Sequence, residues 1–396
     1  MPEFPASRQA ALDRLRAFAP RAGRAYAAGR NTDFGAPDQQ AVSMLSPYLR
    51  RRMITEREVV AEVLKHHAPE AAEKFIQEVF WRTYWKGWLE LRPAVWNHYL
   101  AEREVALAGP PEGYRAAIEG RTGIEGFDDW ARELVQTGWL HNHARMWFAS
   151  IWIFTLRLPW VLGADFFYQH LVDADPASNT LSWRWVAGLH TKSKTYLARP
   201  DNIEKHTQGR FRPTDLAPYA EPVIDGYEIP DLLPPRQAET RVPDGPYALL
   251  LTSDDLHPES WPGYDTNPPA LVIHVGQLPQ EAELNSGTIA AGFTREAIEH
   301  TIERLDRPSA KSVATKTALS RLMGEKVLNV LAVPYCCSGT SRAFLNDVLV
   351  DLPQEGIAIH EVKRTWDDHA WPHATAGFFK LKKKIPKLLS QTGLIA

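Results

Sequence analysis

Residues 200–246 contain nine prolines, including the adjacent pair Pro234-Pro235, and a chain interrupted this often sustains neither a helical nor a strand period. That stretch separates two different patterns. Before it, from about residue 6 to about residue 197, the segments 56–66, 71–90, 128–156 and 165–172 repeat apolar residues at three- and four-residue spacing, which predicts helices. After it, 247–252 and 270–275 are apolar runs of strand length, 294–305 is an amphipathic helix, and strands at 327–333 and 357–362 flank a helix at 341–352. Strands that alternate with helices imply a parallel sheet covered on both faces. The expected architecture is α plus α/β: a helical domain at 1–210, a Pro-rich linker at 211–245 lying along a surface, and a small α/β domain at 246–396.

Composition agrees with two folded parts. A chain of 396 residues exceeds what one core usually supports, and 44% hydrophobic content is ordinary for a globular protein. The net charge of −3 divides into +3 for residues 1–215 and −6 for the rest, which permits a local nucleic-acid groove without requiring one. Cys336 and Cys337 are the whole cysteine complement. Neighbouring cysteines do not readily bridge each other or supply a four-thiolate metal site, so no metal and a reducing, cytoplasmic setting are expected, with both thiols packed as small apolar groups. The start Met1-Pro2-Glu3-Phe4-Pro5 has no signal-peptide pattern, and the longest apolar region, 146–162, is interrupted by Arg157 and Pro159, so membrane insertion is not expected. Ser46-Pro47 and Thr55-Glu56-Arg57-Glu58 read as helix starts, the second a capping box.

Eleven of the 14 tryptophans lie between Trp81 and Trp185. Such crowding of indoles, each needing a partner for its N–H, points to a site built from aromatic surface. The same region carries Leu45-Ser46-Pro47-Tyr48-Leu49 preceded by Ser43 and Met44, then Glu78-Val79-Phe80-Trp81-Arg82-Thr83-Tyr84, Gly138-Trp139-Leu140-His141-Asn142-His143-Ala144-Arg145-Met146, and Asp173, Asp175, Asn179, Trp183 and Trp185 at the spacing D-x-D, N, W-x-W. Together, in this order and across residues 26–210, these motifs resemble the FAD-binding domain of the photolyase/cryptochrome family.

The resemblance implies FAD held in a U-shaped, helix-lined pocket by Tyr26, Ser43, Met44, Leu45, Ser46, Arg82, His141, Asn142, Arg145, Asp173, Asp175 and Asn179. Ser43 and Ser46 precede a helix whose free N–H groups suit a pyrophosphate, although a plain capping role for Ser46 fits the local sequence too. Arg145 and Asp173 would pair beside the flavin, or form a structural salt bridge. Asn179 would offer its amide to the flavin edge, or form a turn after Asp175-Pro176. Trp183 and Trp160 match the first two members of the family's electron-carrying tryptophan chain, with Trp96 as a guess for the third; a core role for Trp160 is the alternative. Glu78, Trp81, His143 and Met146, with Trp147, match residues around a flipped pyrimidine dimer, where an amphipathic helix face is the plainer reading of Glu78 and Trp81. His143 departs from the arginine of repairing relatives, and Pro176, Thr180, Leu181 and Arg184 depart as well.

Arg50-Arg51-Arg52 is expected either to touch DNA phosphates or to solvate a helix face, and 380–387, with five lysines, to be a solvated helix end. In ordinary members of the family an α/β antenna domain precedes the helical one, whereas here a small Rossmann-like domain follows it, as if the chain were circularly permuted or fitted with an unrelated α/β domain. Ser253-Asp254-Asp255 stands where the antenna's Arg-rich turn is expected, which leaves a second antenna chromophore open. The implied activity is that of a DNA photolyase-like lyase acting on damaged DNA, single strands included. The alternative is a cryptochrome-like blue-light photoreceptor that signals to a protein partner.

Overall fold

The computed structural model describes residues 4–35, 39–192, 194–275, 289–311 and 315–395. At Thr55 the capping box forms as its spacing requires: Glu58 N donates to Thr55 Oγ1 at 3.2 Å, Thr55 N donates to the Glu58 carboxylate at 2.8 Å, and the helix Glu56–Leu64 follows. Beside it runs Glu73–Glu90, the longest helix among the described residues, with thirteen of its eighteen residues buried. The single helix expected over 128–156 is instead two, Phe127–Thr137 and Asn142–Ser150, because Gly138 takes the left-handed conformation (φ 69°). A Cβ there would stand 2.5 Å from Val172, so only glycine fits this turn. The segment expected at 165–172 is the end of a longer helix, Trp160–His170, launched by Pro159. It packs against Pro176–Ala187, and Gly163 permits that contact: a Cβ on it would lie 2.3 Å from the Trp183 ring and 3.0 Å from Trp152.

Beyond residue 246, five parallel strands form one sheet in the order β3-β2-β1-β4-β5: β1 Ala248–Leu251, β2 Leu271–His274, β3 Ser309–Lys311, β4 Val330–Pro334 and β5 Ala358–Val362. Leu249 is in register with Val272 on one side and Ala332 on the other. The two-residue period divides the sheet between two cores. Leu249, Leu251, Val272 and Ala332 join the core of the helical part through Phe293, Ala297 and Ile298 of the helix Ile289–Leu305. Ala248, Leu250, Ile273, Leu331 and Val333 face the opposite way, onto Lys316–Glu325 and Thr340–Leu349. The main core is therefore continuous between the two parts.

The junction also corrects the reading of Arg50, Arg51 and Arg52. All three are buried, at 3–5% exposure, and neither meet solvent nor offer themselves to DNA. Arg50 donates to Ala174 O and Asp254, Arg51 to Val172 O and Thr294, and Arg52 to Asp367. Each thus ties the helical part to residues beyond 246. The chain then returns: Trp366 lies 4.7 Å from the Phe80 ring and donates to Thr83 Oγ1 at 2.9 Å, and Phe378 stacks on Trp81 at 3.8 Å and 13°. Cys336 and Cys337 are buried thiols whose ionisation burial pushes upward. No helix among the described residues is long and apolar enough to cross a membrane.

Candidate flavin cavity

A cavity of about 490 Å³ opens among the helices Glu73–Glu90, Asn142–Ser150 and Pro176–Ala187, within the 300–1,000 Å³ typical of cofactor and ligand sites. Ser46, Arg82, Asn142, Arg145, Asp173, Asp175, Asn179 and Trp183 line it, together with Glu78, Trp81, His143 and Met146. Residues from four separate motifs thus converge on one space. Tyr26, Ser43, Met44, Leu45, His141 and Trp160 are not among its lining. Tyr26 is packed against Phe18 and Phe75, Leu45 is buried, and His141 caps the helix Asn142–Ser150 by accepting the His143 N–H at 3.2 Å.

The helix beginning at Ser46 has Leu45 in the cap position with no side-chain cap, so Ser46 is not the cap residue; it stands in the first turn and lines the cavity. Nearby, Arg82 pairs with Glu56 and donates to Arg50 O, while its buried Nε lacks a protein partner. A hydroxyl and a cation with a donor in reserve suit a diphosphate, which needs donors more than it needs a glycine-rich loop. Arg145 grips Asp173 with two hydrogen bonds, at 2.9 and 3.1 Å, and a third to Leu140 O fixes the guanidinium plane.

Asp175 caps Pro176–Ala187 by accepting from the N–H groups of Ala177 and Ser178. Burial pushes its carboxyl up, but Lys86, Arg50 and Arg82 outweigh burial and hold it well below the usual carboxylate range. Asn179 sits in the first turn of that helix, not in a turn of its own; its amide donates to Ala164 O at 2.7 Å, which leaves the amide oxygen as its acceptor. Trp183, one turn further, meets Trp152 edge to face at 6.1 Å and Phe167 at 5.1 Å. Trp160 stands on the neighbouring helix against Tyr99 at 5.7 Å, and Trp96 follows at 5.2 Å from Tyr99. Both Trp160 and Trp96 are buried.

On the opposite wall, Glu78 is paired with Arg30, a partner the motif did not reveal. Burial raises the Glu78 carboxyl despite Arg30. Trp81 has Trp85 at 5.3 Å and is backed by Phe378. His143, between His141 and His206, is driven by burial down to about 4, so it is neutral at pH 7. Sequence reasoning also missed Trp85, Phe167, Ser178 and Ser182 in the lining. For Ser178, Ser182 and Trp185 a signal existed: their spacing of four and three residues places them on one helix face beside Asn179 and Trp183. A second, much smaller cavity of about 10 Å³, room for about one water, lies where Lys86 and Asp175 meet Asp254 after β1 and Cys337–Ser341 after β4.

Residues 56–211 match the family model described as the FAD binding domain of DNA photolyase. The chain is 31% identical over 189 residues to a deoxyribodipyrimidine photo-lyase of Alkalihalophilus pseudofirmus, covering 47% of this chain and 39% of that protein. It is 35% identical over 185 residues to one from Agrobacterium fabrum, covering 45% and 37%. Among solved structures, a bacterial class III photolyase from Agrobacterium tumefaciens aligns with a TM-score of 0.43 at 30% identity over 51% of this chain and 43% of that one. The chain therefore spans roughly two fifths of the length of the curated relatives it matches. With the family's motifs gathered around one cavity, residues 56–211 of this chain are similar in sequence to the FAD-binding domain of the photolyase/cryptochrome family.

Proposed function

We propose that this chain is a light-dependent FAD protein of the DNA photolyase type, which passes an electron to a pyrimidine dimer turned out of damaged DNA. The observation that carries this reading is the shared cavity. Ser46, Arg82, Asn142, Arg145, Asp173 and Asn179, suited to FAD, and Glu78, Trp81 and Met146, suited to a base, line the same space, so donor and acceptor would lie within a few side chains of each other. FAD, when bound, supplies the light absorption and the redox chemistry. The protein supplies position and electrostatics. Ser46 and Arg82 would hold the diphosphate, the Arg145–Asp173 pair would fix the ring's surroundings, and the Asn179 oxygen would accept a hydrogen bond from a ring N–H. Trp183, buried at the cavity with Trp152 beside it, would relay electrons inward, and Trp160, on the neighbouring helix, would be the next carrier. Trp81 and Met146 would give the base an apolar wall, and Glu78 would meet its polar edge by exchanging part of its contact with Arg30.

Dimer-containing single- and double-stranded oligonucleotides, incubated with the purified chain under blue light, test the proposal. Loss of dimers in light but not in darkness is expected, and Trp183→Phe should slow photoreduction of bound flavin by about 10-fold or more while leaving it bound. Intact dimers beside a photoreducible flavin would favour a second reading, a blue-light receptor with no repair activity. His143 supports that alternative, because a neutral imidazole holds a phosphate less firmly than the guanidinium found in repairing relatives.

A further inference from the structure

The lysine-rich stretch near the C-terminus has no part in the cavity as described. Lys380, Lys382, Lys383, Lys384 and Lys387 lie on or beside two short helices, Phe378–Lys382 and Ile385–Gln391. Phe378, Leu381, Ile385 and Leu388 are buried on the inner side, which turns the ammonium groups outward. Lys382 meets Glu73 at 3.6 Å and Lys380 donates to Thr375 Oγ1, whereas Lys383, Lys384 and Lys387 have no carboxylate partner among the described residues. The cations converge: after burial, Lys384, Lys387 and Lys380 are what push the His373 imidazole downward. Among them stands Phe379, 72% exposed and the most exposed aromatic ring among the described residues.

Hydrophobic packing does not account for an aromatic ring left in water amid unpaired cations. The pairing does match single-stranded nucleic acid, whose phosphates follow cations and whose unpaired bases stack on rings. Location agrees. Phe378, next to Phe379, backs the cavity residue Trp81, and Glu73, the partner of Lys382, begins the helix that carries Glu78, Trp81 and Trp85.

We propose that Lys380, Lys383, Lys384 and Lys387, with Phe379, form a contact surface for single-stranded nucleic acid beside the Trp81 wall of the cavity. The proposal rests on the photolyase-type reading for the strand's destination, not for its binding. The test is fluorescence anisotropy of a labelled oligothymidylate of about 15 nucleotides, titrated with the full chain at several salt concentrations. Changing all four lysines to glutamine should weaken binding about 10-fold or more and reduce the log–log salt slope by about 3, since each phosphate contact on a single strand contributes about 0.7. Phe379→Ala should weaken binding about 5-fold or more with the slope unchanged, because stacking releases no counterion. Unchanged affinity and slope in the quadruple variant overturn the proposal. So does loss of binding to phosphatidylserine vesicles while oligothymidylate binding persists, which would assign the surface to a membrane. Flavin content, read in the same preparations, separates the two claims: a wild-type chain that takes up no flavin defeats the photolyase-type reading, and the titration still decides the surface.

Discussion

His143 carries no charge into the cavity at neutral pH, and it shares that state with three other buried histidines. Burial drives His141, His143 and His257 down to about 4 and His190 to about 3, against an ordinary value near 6.5. The sign of the linkage follows. Below pH 6.5 the unfolded chain takes up protons that the folded chain refuses until pH nears 4, so stability is greatest above 6.5 and is lost as pH falls across that window. Glu102 and Glu133, pushed by burial up to about 7, act in the opposite sense, as do the raised carboxyls of Glu78, Asp165 and Asp367, but burial also lowers His170, His206, His274 and His373, so depressed imidazoles outnumber raised carboxyls. Glu58, held down at about 2 by Arg8 and His257 against burial, adds its own loss only below about pH 4.5. Thermal melts at about pH 7.5, 6 and 5 should therefore show a falling Tm; a flat or rising Tm would mean that these imidazoles are protonated in the folded state.

Between residue and molecule, the elements differ in how much of themselves they displayed in sequence. The capping box at Thr55 and the apolar strands β1 and β2 were legible because their signals are local. β3, Ser309–Lys311, was not: a three-residue edge strand with a polar sequence has no apolar run to find. The break at Gly138 was hidden because helical apolar spacing continues on both sides of it, and only the close approach of Val172 dictates the left-handed turn. Within the site, Asp173, Asn179 and Trp183 were legible only through the motif they share with the photolyase/cryptochrome family, and one helix and the turn before it bring all three to the cavity. Arg30 as partner of Glu78, and Phe378 as backing for Trp81, are contacts over 48 and roughly 300 residues of chain, and no local pattern encodes them.

At the scale of the whole molecule, Arg50, Arg51 and Arg52 carry the largest revision, from surface charge to buried junction. Arg52 faces Glu56, Asp255 and Asp367, and Arg364 holds the other side of Asp255 with hydrogen bonds of 2.6 and 2.7 Å. Removing one cation from such a cluster leaves buried carboxylates uncompensated, a loss of about 3–5 kcal/mol. Arg52→Ala should thus lower the unfolding free energy by about that amount in denaturant titrations, and a loss below about 1 kcal/mol would show that water reaches the junction. The same cluster joins the sheet to the helices that wall the cavity, so the parts before and after the Pro-rich stretch are expected to unfold together.

The direct test of the flavin cavity is the visible absorption spectrum of the purified chain, followed by release and quantification of whatever chromophore it carries. FAD near one per chain, with a band near 450 nm that Arg145→Ala weakens, is the expected outcome. A colourless protein that takes up no added FAD, with Arg145, Asp173 and Asn179 intact, would contradict it.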